Sequence, residues 1–192
     1  MTCIVGLEVD DKVYLAGDSI AISEYHASVV TDSKVFILGD MAIGFTGSIR
    51  AGQLIRYGLQ LPVHPKRKSD MEYLVIDVVD AIRELFNNKG SLKKENDEEE
   101  TSAQYLIGYR GRLYYLDKDF HVGHIKDNYY AIGVGSDIAL GSLFSTEKVV
   151  DHKERLTIAL NAAVKWSAAV RPPFNFVALD AHGSKPKKKN IG

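Results

Sequence analysis

Hydrophobic residues alternate with turn residues through the first fifty positions, which is typical of short β-strands. The predicted strands of this region are residues 2–9, 13–17, 35–38 and 41–45. The polar residues Asp10, Asp11 and Lys12 separate the first two, so they predict a β-hairpin. Gly39-Asp40 joins the last two in the same way. Residues 19–33, which are more polar and lack a clear period, are expected to form a looser stretch.

The spacing of hydrophobic residues then becomes helical. One helix is predicted to begin near Gly47-Ser48, with Ser48 as its N-cap, and another to open at Ser69-Asp70. A highly charged loop is predicted at 90–102. Further strands are expected at 104–109, 113–116, 120–122, 129–133 and 174–179. Further helices are expected from just after residues 135–137 to about 145, and from about 152 to 168.

The order of elements predicts an α+β fold. A run of strands is followed by two helices. A second run of strands and two more helices come next, and a last strand ends the order. This order argues against an alternating parallel α/β sheet and favours two antiparallel sheets covered by pairs of helices. Residues 1–182 are predicted to form a single domain, and the basic segment 183–192 a flexible tail.

Composition restricts the function classes without naming one. The 192 residues carry a formal net charge of −1, which provides no general basic surface for nucleic acid. No apolar stretch approaches the ~20 residues of a membrane span, and the acidic start is unlike a signal peptide. Cys3 has no partner cysteine, and the six histidines show no metal-binding spacing. We therefore expect a cytoplasmic protein without a metal, a membrane or a nucleic-acid partner.

Thr2 offers unusual chemistry if Met1 is removed. The α-amine of an N-terminal residue has an ordinary pKa of about 7.7–8.0, so it can act as a base near neutral pH. On a threonine, this amine can accept the proton of the side-chain hydroxyl, so that one residue provides both the base and the nucleophile. A second-position threonine is otherwise an ordinary residue at the start of a strand.

Two charged residues accompany Thr2 in the predicted sheet. Asp18 follows the second strand, and the hairpin returns it to the sheet end where Thr2 lies. A two-residue loop would place Asp18 opposite Cys3, and a three-residue loop opposite Ile4; the sequence leaves both registers open. Lys34 directly precedes the next strand. An inward-pointing lysine needs an anion, and Asp18 is the candidate.

Glycine-rich turns complete the set of candidates. Gly44 and Gly47 lie in the strand-to-helix segment 43–49, where a backbone N–H could approach a reacting oxygen. Ser136 lies in a second such turn, 133–137, which lacks the glycine and lysine pattern of a phosphate-binding loop.

These motifs together resemble the proteasome-type N-terminal-nucleophile hydrolases of peptidase family T1. The likeness is to proteasome β subunits and to the peptidase of the bacterial two-component ATP-dependent protease. It covers nearly the whole chain. The matching segments are Thr2-x-Ile4-Val5-Gly6, Leu15-Ala16-Gly17-Asp18, Lys34-Val35, Ile43-Gly44-Phe45-x-Gly47 and Ala131-Ile132-Gly133-Val134-Gly135-Ser136.

The resemblance implies a four-layer αββα sandwich and a threonine-type peptidase. Thr2 would be the nucleophile, and Asp18 and Lys34 would orient and tune it. The oxyanion donor would be the N–H of Gly44 in preference to Gly47, and Ser136 would lie near the amine. The family acts on peptides or unfolded proteins inside oligomeric rings. It needs no cofactor in the peptidase chain, and an ATP-dependent unfoldase often supplies the substrate.

The chain departs from the family pattern after its last long helix. Ser167 stands where proteasome β subunits have an aspartate, and Val170 where they have a serine. Two other hypotheses stand beside the peptidase, and these departures motivate the first of them. One is a catalytically inactive proteasome-like shell or scaffold subunit, and the other is an N-terminal-nucleophile amidase that acts on a small molecule.

Overall fold

The structure, a computed structural model, describes residues 2–23, 26–95 and 98–181. It confirms the mixed α and β content. The strands are β1 Cys3–Val9, β2 Lys12–Gly17, β3 Ile20–Ser23, β4 His26–Val29, β5 Val35–Leu38, β6 Met41–Gly47, β7 Lys93–Glu95, β8 Glu98–Glu100, β9 Ala103–Tyr109, β10 Arg112–Leu116, β11 Val122–His124, β12 Tyr129–Gly133 and β13 Asn175–Asp180. The helices are α1 Ile49–Gly58, α2 Asp70–Glu72, α3 Val79–Asn88, α4 Ser136–Ser145 and α5 His152–Trp166, and a π-helical segment, Tyr73–Val78, joins α2 to α3.

Two antiparallel sheets contain most of the strands. The first has the order β12-β1-β2-β13, and the second the order β11-β10-β9-β6-β5. Two short hairpins, β3-β4 and β7-β8, stand apart from them. Hydrophobic side chains on alternate positions of β1 explain how the sheets pack, because neighbouring residues of a strand face opposite sides.

Ile4 belongs to a buried cluster formed by residues of both sheets, together with Val13, Leu15, Val35 and Leu106. Its neighbours in β1 pack on the other face, against α4 and α5; this second cluster contains Cys3, Val5, Leu7, Leu143 and Leu160. A third cluster joins the second sheet to α1, the π-helical segment and α3, and includes Phe45, Ile55, Leu74 and Phe86.

Polar side chains begin the helices where the sequence predicted. The N–H of Ala51 donates to Ser48 Oγ at 3.2 Å, which confirms Ser48 as the N-cap of α1. Ser69 and Glu72 form a capping box, in which each side chain accepts a hydrogen bond from the other residue's backbone N–H.

The first hairpin has the two-residue loop. Asp10 and Asp11 have φ values of 49° and 56°, as expected for the central residues of a tight hairpin turn. In the resulting register Ile4 pairs with Gly17, so the next residue, Asp18, lies opposite Cys3. Of the two registers that the sequence left open, the structure has the first.

Three expectations about local structure are wrong. Part of the looser stretch 19–33 forms the β3-β4 hairpin, in which Ile20 pairs with Val29. The charged loop 90–102 contains the β7-β8 hairpin, where lysine lies opposite glutamate in the pairs Lys93↔Glu100 and Lys94↔Glu99.

The strand predicted at 120–122 begins later, at Val122, because Phe120 takes a turn conformation with φ 65° and donates its N–H to Asp117 O. Within the described ranges, no helix is long and apolar enough to cross a membrane. The predicted tail 183–192 lies outside the described residues, so the domain division stays a prediction.

Candidate active site

Three predicted site residues meet at one end of the first sheet. Thr2 precedes β1, Asp18 follows β2, and Lys34 precedes β5 of the second sheet. Their exposed fractions are only 3%, 0% and 3%. A buried ion pair needs good geometry and additional hydrogen bonds to offset the cost of removing both charges from water. The contacts of Lys34 and Asp18 meet that need.

The ammonium group of Lys34 is surrounded by oxygen atoms. Its Nζ donates to Thr2 Oγ1 at 2.8 Å and to the backbone carbonyl of Ile20 at 2.6 Å. It also lies 3.2 and 3.1 Å from the two carboxylate oxygens of Asp18. Lys34 therefore contacts the threonine hydroxyl and the Asp18 carboxylate at the same time.

Backbone N–H groups hold the Asp18 carboxylate in place. The N–H of Cys3 donates to Oδ1 at 3.0 Å, and the N–H of Ile20 donates to Oδ2 at 3.2 Å. Since Cys3 follows Thr2 in the chain, the first of these bonds ties Asp18 to the backbone of the candidate nucleophile. The hairpin register thus brings Asp18 to the site from its position opposite Cys3.

Burial has the largest effect on the ionisation of this cluster. It lowers the pKa of Lys34 from its ordinary value, and the Asp18 carboxylate opposes that shift. It raises the pKa of Asp18, and Lys34 and the two backbone N–H groups oppose that shift. Burial, followed by the charge of Asp18, raises the pKa of Cys3 to about 12, so this thiol stays protonated and acts as a small buried hydrophobic residue.

The turn that contains Ser136 packs against the backbone of Thr2. The N–H of Gly135 donates to Thr2 O at 3.4 Å. Gly133 has φ 99°, and a Cβ at this position would lie 2.3 Å from Thr2 O. Glycine is therefore required here, both for the backbone conformation and for the close approach.

The two serines differ in their positions. Ser136 is half-buried at the start of α4, next to this turn, and its Oγ lies 3.5 Å from Asp137 Oδ1. Ser167 follows α5, where its Oγ accepts a hydrogen bond from the N–H of Ala169 at 3.3 Å. Ser167 therefore stabilises only the turn in which it lies, whereas Ser136 adjoins the turn that contacts Thr2.

Val170 is fully buried next to the same turn. A Cβ on Gly135 would lie 3.0 Å from Val170 Cγ2 and 3.0 Å from Cys3 Cβ. Val170 thus provides an apolar contact to the turn behind Thr2.

The structure gives a reason for each glycine at the predicted oxyanion positions. Gly44 lies inside β6, where a Cβ would come within 2.6 Å of Ile4 Cγ2 between the two sheets. Gly47 ends β6 with φ 96°, and a Cβ there would lie 2.4 Å from Ser102 O. Packing and backbone conformation account for both residues, and their role as oxyanion donors stays a prediction.

A cavity opens beside Lys34 and has a volume of about 70 Å³. Its walls include the apolar side chains of Val30, Phe45 and Ile49, and charged groups of Asp32 and Arg56 also line it. Lys34 therefore belongs both to the buried cluster and to the wall of this cavity. Within the described part of the chain, no group of three or more His, Cys, Asp or Glu residues is arranged to hold a metal ion.

Sequence reasoning missed two contributors to the site. The carbonyl of Ile20 accepts from Lys34, but a backbone acceptor leaves no mark in the sequence. The sequence indicates Gly133 only as part of a turn, although its lack of a side chain is what admits the Thr2 carbonyl. The available signal was the place of Gly133 at the end of β12, the strand that pairs with β1 next to Thr2.

No protein-family model and no curated protein sequence matches the chain. Solved structures do match it. BPH from Thiobacillus denitrificans superposes with a TM-score of 0.80 at 16% identity, over 94% of this chain and 98% of that one. Eukaryotic HslV from Trypanosoma brucei gives a TM-score of 0.66 at 18% identity, over 93% and 99% of the two chains. Anbu from Yersinia bercovieri, described as an ancestral β-subunit, gives a TM-score of 0.67 at 13% identity, over 96% of this chain and 85% of that one.

The fold is of the proteasome type. The resemblance to proteasome-type hydrolases that the sequence motifs indicated is thus confirmed for the fold. The BPH structure has also been solved in complex with epoxomicin, and that complex superposes on this chain with a TM-score of 0.76 at 19% identity. Another neighbour is the Anbu complex from Pseudomonas aeruginosa, which forms a helical assembly. The proteasome-type fold explains why the ends of β1, β2 and β5 meet.

Proposed function

We propose that this protein is a threonine-type peptidase that hydrolyses peptide bonds through Thr2 after Met1 has been removed. The observation that carries the proposal is the 2.8 Å contact between Lys34 Nζ and Thr2 Oγ1 inside a buried cluster. A cation aimed at a hydroxyl oxygen favours loss of the hydroxyl proton. Similarity of the fold to HslV and Anbu also supports a peptidase.

The free α-amine of Thr2 would accept the proton of its own hydroxyl, directly or through a water molecule. Oγ1 then attacks the carbonyl carbon of the substrate, and the π electrons of the carbonyl move to its oxygen, which becomes an oxyanion. Collapse of this tetrahedral intermediate breaks the C–N bond, and the leaving amine takes the proton. A water molecule then hydrolyses the resulting ester and regenerates Thr2.

The other residues would assist these steps. Lys34 stabilises the negative charge that develops on Oγ1, and Asp18 holds Lys34 in position. The N–H of Gly44, with Gly47 as the second choice, would donate to the oxyanion. Ser136 would form a hydrogen bond near the amine, and Ser167 is assigned only a supporting part. The cavity beside Lys34 would take a substrate side chain.

We also infer the larger setting of the site. The three hydrophobic clusters support the order of helices, sheet, sheet and helices that defines a four-layer αββα sandwich. The helical assembly of an Anbu complex supports an oligomer, for which we propose a ring of identical chains. A cytoplasmic location and an ATP-dependent unfoldase that delivers unfolded proteins complete the proposal.

The test is cleavage of a fluorogenic peptide by matched variants. Thr2→Ala should reduce kcat/KM by at least ~1000-fold, because it removes the nucleophile. Thr2→Ser should retain measurable activity. Thr157→Ala is the control, since the hydroxyl of Thr157 donates to Lys153 O within α5, away from the site. Equal activity of wild type and Thr2→Ala would overturn the mechanism.

One observation favours a second candidate, the inactive shell subunit. Val170 makes an apolar contact behind the Thr2 turn, at the position that the sequence resemblance aligns with a serine of proteasome β subunits. That hypothesis expects Met1 to be retained in the folded protein and no cleavage of any peptide. A small-molecule amidase would instead cleave small amides and leave peptides intact.

A further inference from the structure

A second cavity lies beside the turn that packs against Thr2, on the other side of Thr2 from Lys34. Its volume is about 130 Å³. The lining includes Gly133 and Ser136 of the turn against Thr2, and the side chains of Gln104, Tyr115, Asp117 and Tyr130. Leu116, Ala131 and Ile132 also line it, and Asp117 is its one charged lining residue among the described residues.

Strand order places the two cavities on opposite sides of Thr2. In the second sheet, β5 with Lys34 lies on one side of β6, and β9 and β10 lie on the other. In the first sheet, β12 lies on one side of β1, and β2 with Asp18 on the other. The Lys34 cavity belongs to the β5 side and the second cavity to the β9, β10 and β12 side. A chain that crosses Thr2 can thus place one side chain in each.

The Asp117 carboxylate is held rigidly at the wall of the second cavity. Its Oδ1 accepts from Gln104 Nε2 at 2.9 Å and from the N–H of Lys118 at 2.7 Å. Among the described residues, both of its hydrogen bonds go to this one oxygen. A carboxylate can accept about four hydrogen bonds, so Asp117 has capacity for a donor from a ligand.

Two aromatic rings form part of the apolar wall of the same cavity. Tyr115 and Tyr130 stack with their centroids 5.5 Å apart. The Tyr115 ring lies across Gly123, where a Cβ would come within 2.2 Å of the ring. An aromatic wall that leads to a carboxylate matches a lysine or arginine side chain, whose methylene stem packs on the rings while its charged head pairs with the acid.

The start of α4 does not oppose this assignment. A helix N-terminus carries partial positive charge, which disfavours a cation nearby. Here Asp137 stands in the first turn of α4 and offsets that charge.

We propose that the second cavity binds a basic side chain of the substrate, on the opposite side of the cleaved bond from the side chain in the Lys34 cavity. This inference rests on the proposed peptidase function. It assigns Asp117 as a specificity residue and lysine- or arginine-containing peptides as the favoured substrates.

The first test moves a single lysine, one position at a time, through an otherwise neutral quenched peptide. Mass spectrometry of the products should show cleavage at a fixed spacing from the lysine. Exchange of that lysine for glutamine should lower kcat/KM about tenfold, as for loss of one charge-assisted hydrogen bond. Asp117→Asn should remove the preference, and Asp119→Asn, which changes a nearby carboxylate outside the cavity, should keep it. An equal kcat/KM for both peptides with wild type would overturn the inference.

The second test does not need hydrolysis. Calorimetry with Thr2→Ala protein should show about tenfold tighter binding of the lysine peptide than of the glutamine peptide. The added Asp117→Asn change should abolish the difference. Selective binding by Thr2→Ala, with no cleavage by wild type, would refute the peptidase and leave the cavity assignment standing. Cleavage by wild type without any lysine preference in either test would refute the cavity assignment alone.

Discussion

The two sides of Thr2 are built differently. On one side, Asp18 and Lys34 are buried and joined to Thr2 and to each other by hydrogen bonds of 2.8 to 3.2 Å. On the other side, Ser136 is half-buried and adjoins Thr2 through the backbone of its turn. Strands fix the first side, and a turn followed by a helix fixes the second. The first side should therefore tolerate change least.

The largest expected effect comes from Lys34→Ala. Removal of one partner leaves the Asp18 carboxylate buried without its cation, and this costs about 3–5 kcal/mol in the free energy of unfolding. Chemical denaturation measures it, and peptide cleavage should also be lost. The matched control is Lys68→Ala, because Lys68 pairs with Asp77 at 2.7 Å with both side chains about one quarter exposed. We expect the control to cost about 0–1 kcal/mol.

Lys34→Met and the double variant Asp18→Asn/Lys34→Met sharpen this result. Methionine at position 34 keeps the apolar stem of the lysine, and asparagine at position 18 removes the carboxylate charge that Lys34→Met leaves without a cation. The double variant should recover part of the stability that Lys34→Met loses, while activity stays absent. Equal losses for Lys34→Ala and Lys68→Ala would contradict the view that the buried pair holds the site together.

Gly133→Ala should have the next largest effect, since it tests the turn side of the site. The new methyl group meets Thr2 O and the residue has positive φ, so we expect a loss of about 2–3 kcal/mol and a fall in kcat. Gly90→Ala is the control. Gly90 has φ 64°, but a Cβ at this position would have no other atom within 4 Å, so the variant isolates the backbone cost of about 1–2 kcal/mol.

The two glycine variants would fail to support this account if they lost the same stability and both kept full activity. In that case the contact of Gly133 with the Thr2 carbonyl would have no role in the position of the nucleophile.

The serines provide the smallest effects. Ser136→Ala should lower kcat about tenfold, less than the ~100-fold or more that a positioned acid or base contributes, because Ser136 would only form a hydrogen bond near the amine. Ser167→Ala should change kcat less than about twofold and cost about 0.5–1 kcal/mol in stability, because its Oγ accepts only a local N–H among the described residues. A larger loss of kcat for Ser167→Ala than for Ser136→Ala would reverse the comparison.

Much of the Asp18–Lys34 side was predictable from the sequence. Hydrophobic runs define β1, β2 and β5, and strand ends bring positions 2, 18 and 34 together. The register was left open because both loop lengths are common, and positive φ at Asp10 and Asp11 decides it. The carbonyl of Ile20 was not predictable, since every residue has the same backbone acceptor.

The two small hairpins were missed for a different reason. Their strands are short, and β7-β8 places lysine opposite glutamate, with Lys94 Nζ 4.0 Å from Glu99 Oε1. Arg83 of α3 adds a contact of 2.6 Å to Glu99. Such partners are distant in the sequence and leave no period in the hydrophobic pattern, so composition alone indicated a loop.

The most direct test of the central claim is the intact mass of the folded protein before and after incubation with epoxomicin, the compound bound in the BPH structure. If Thr2 is an N-terminal nucleophile, the mass will correspond to a chain without Met1. It will then rise by one epoxomicin per chain in wild type, and Thr2→Ala will stay unlabelled. A folded protein that retains Met1 and gains no mass would contradict the account.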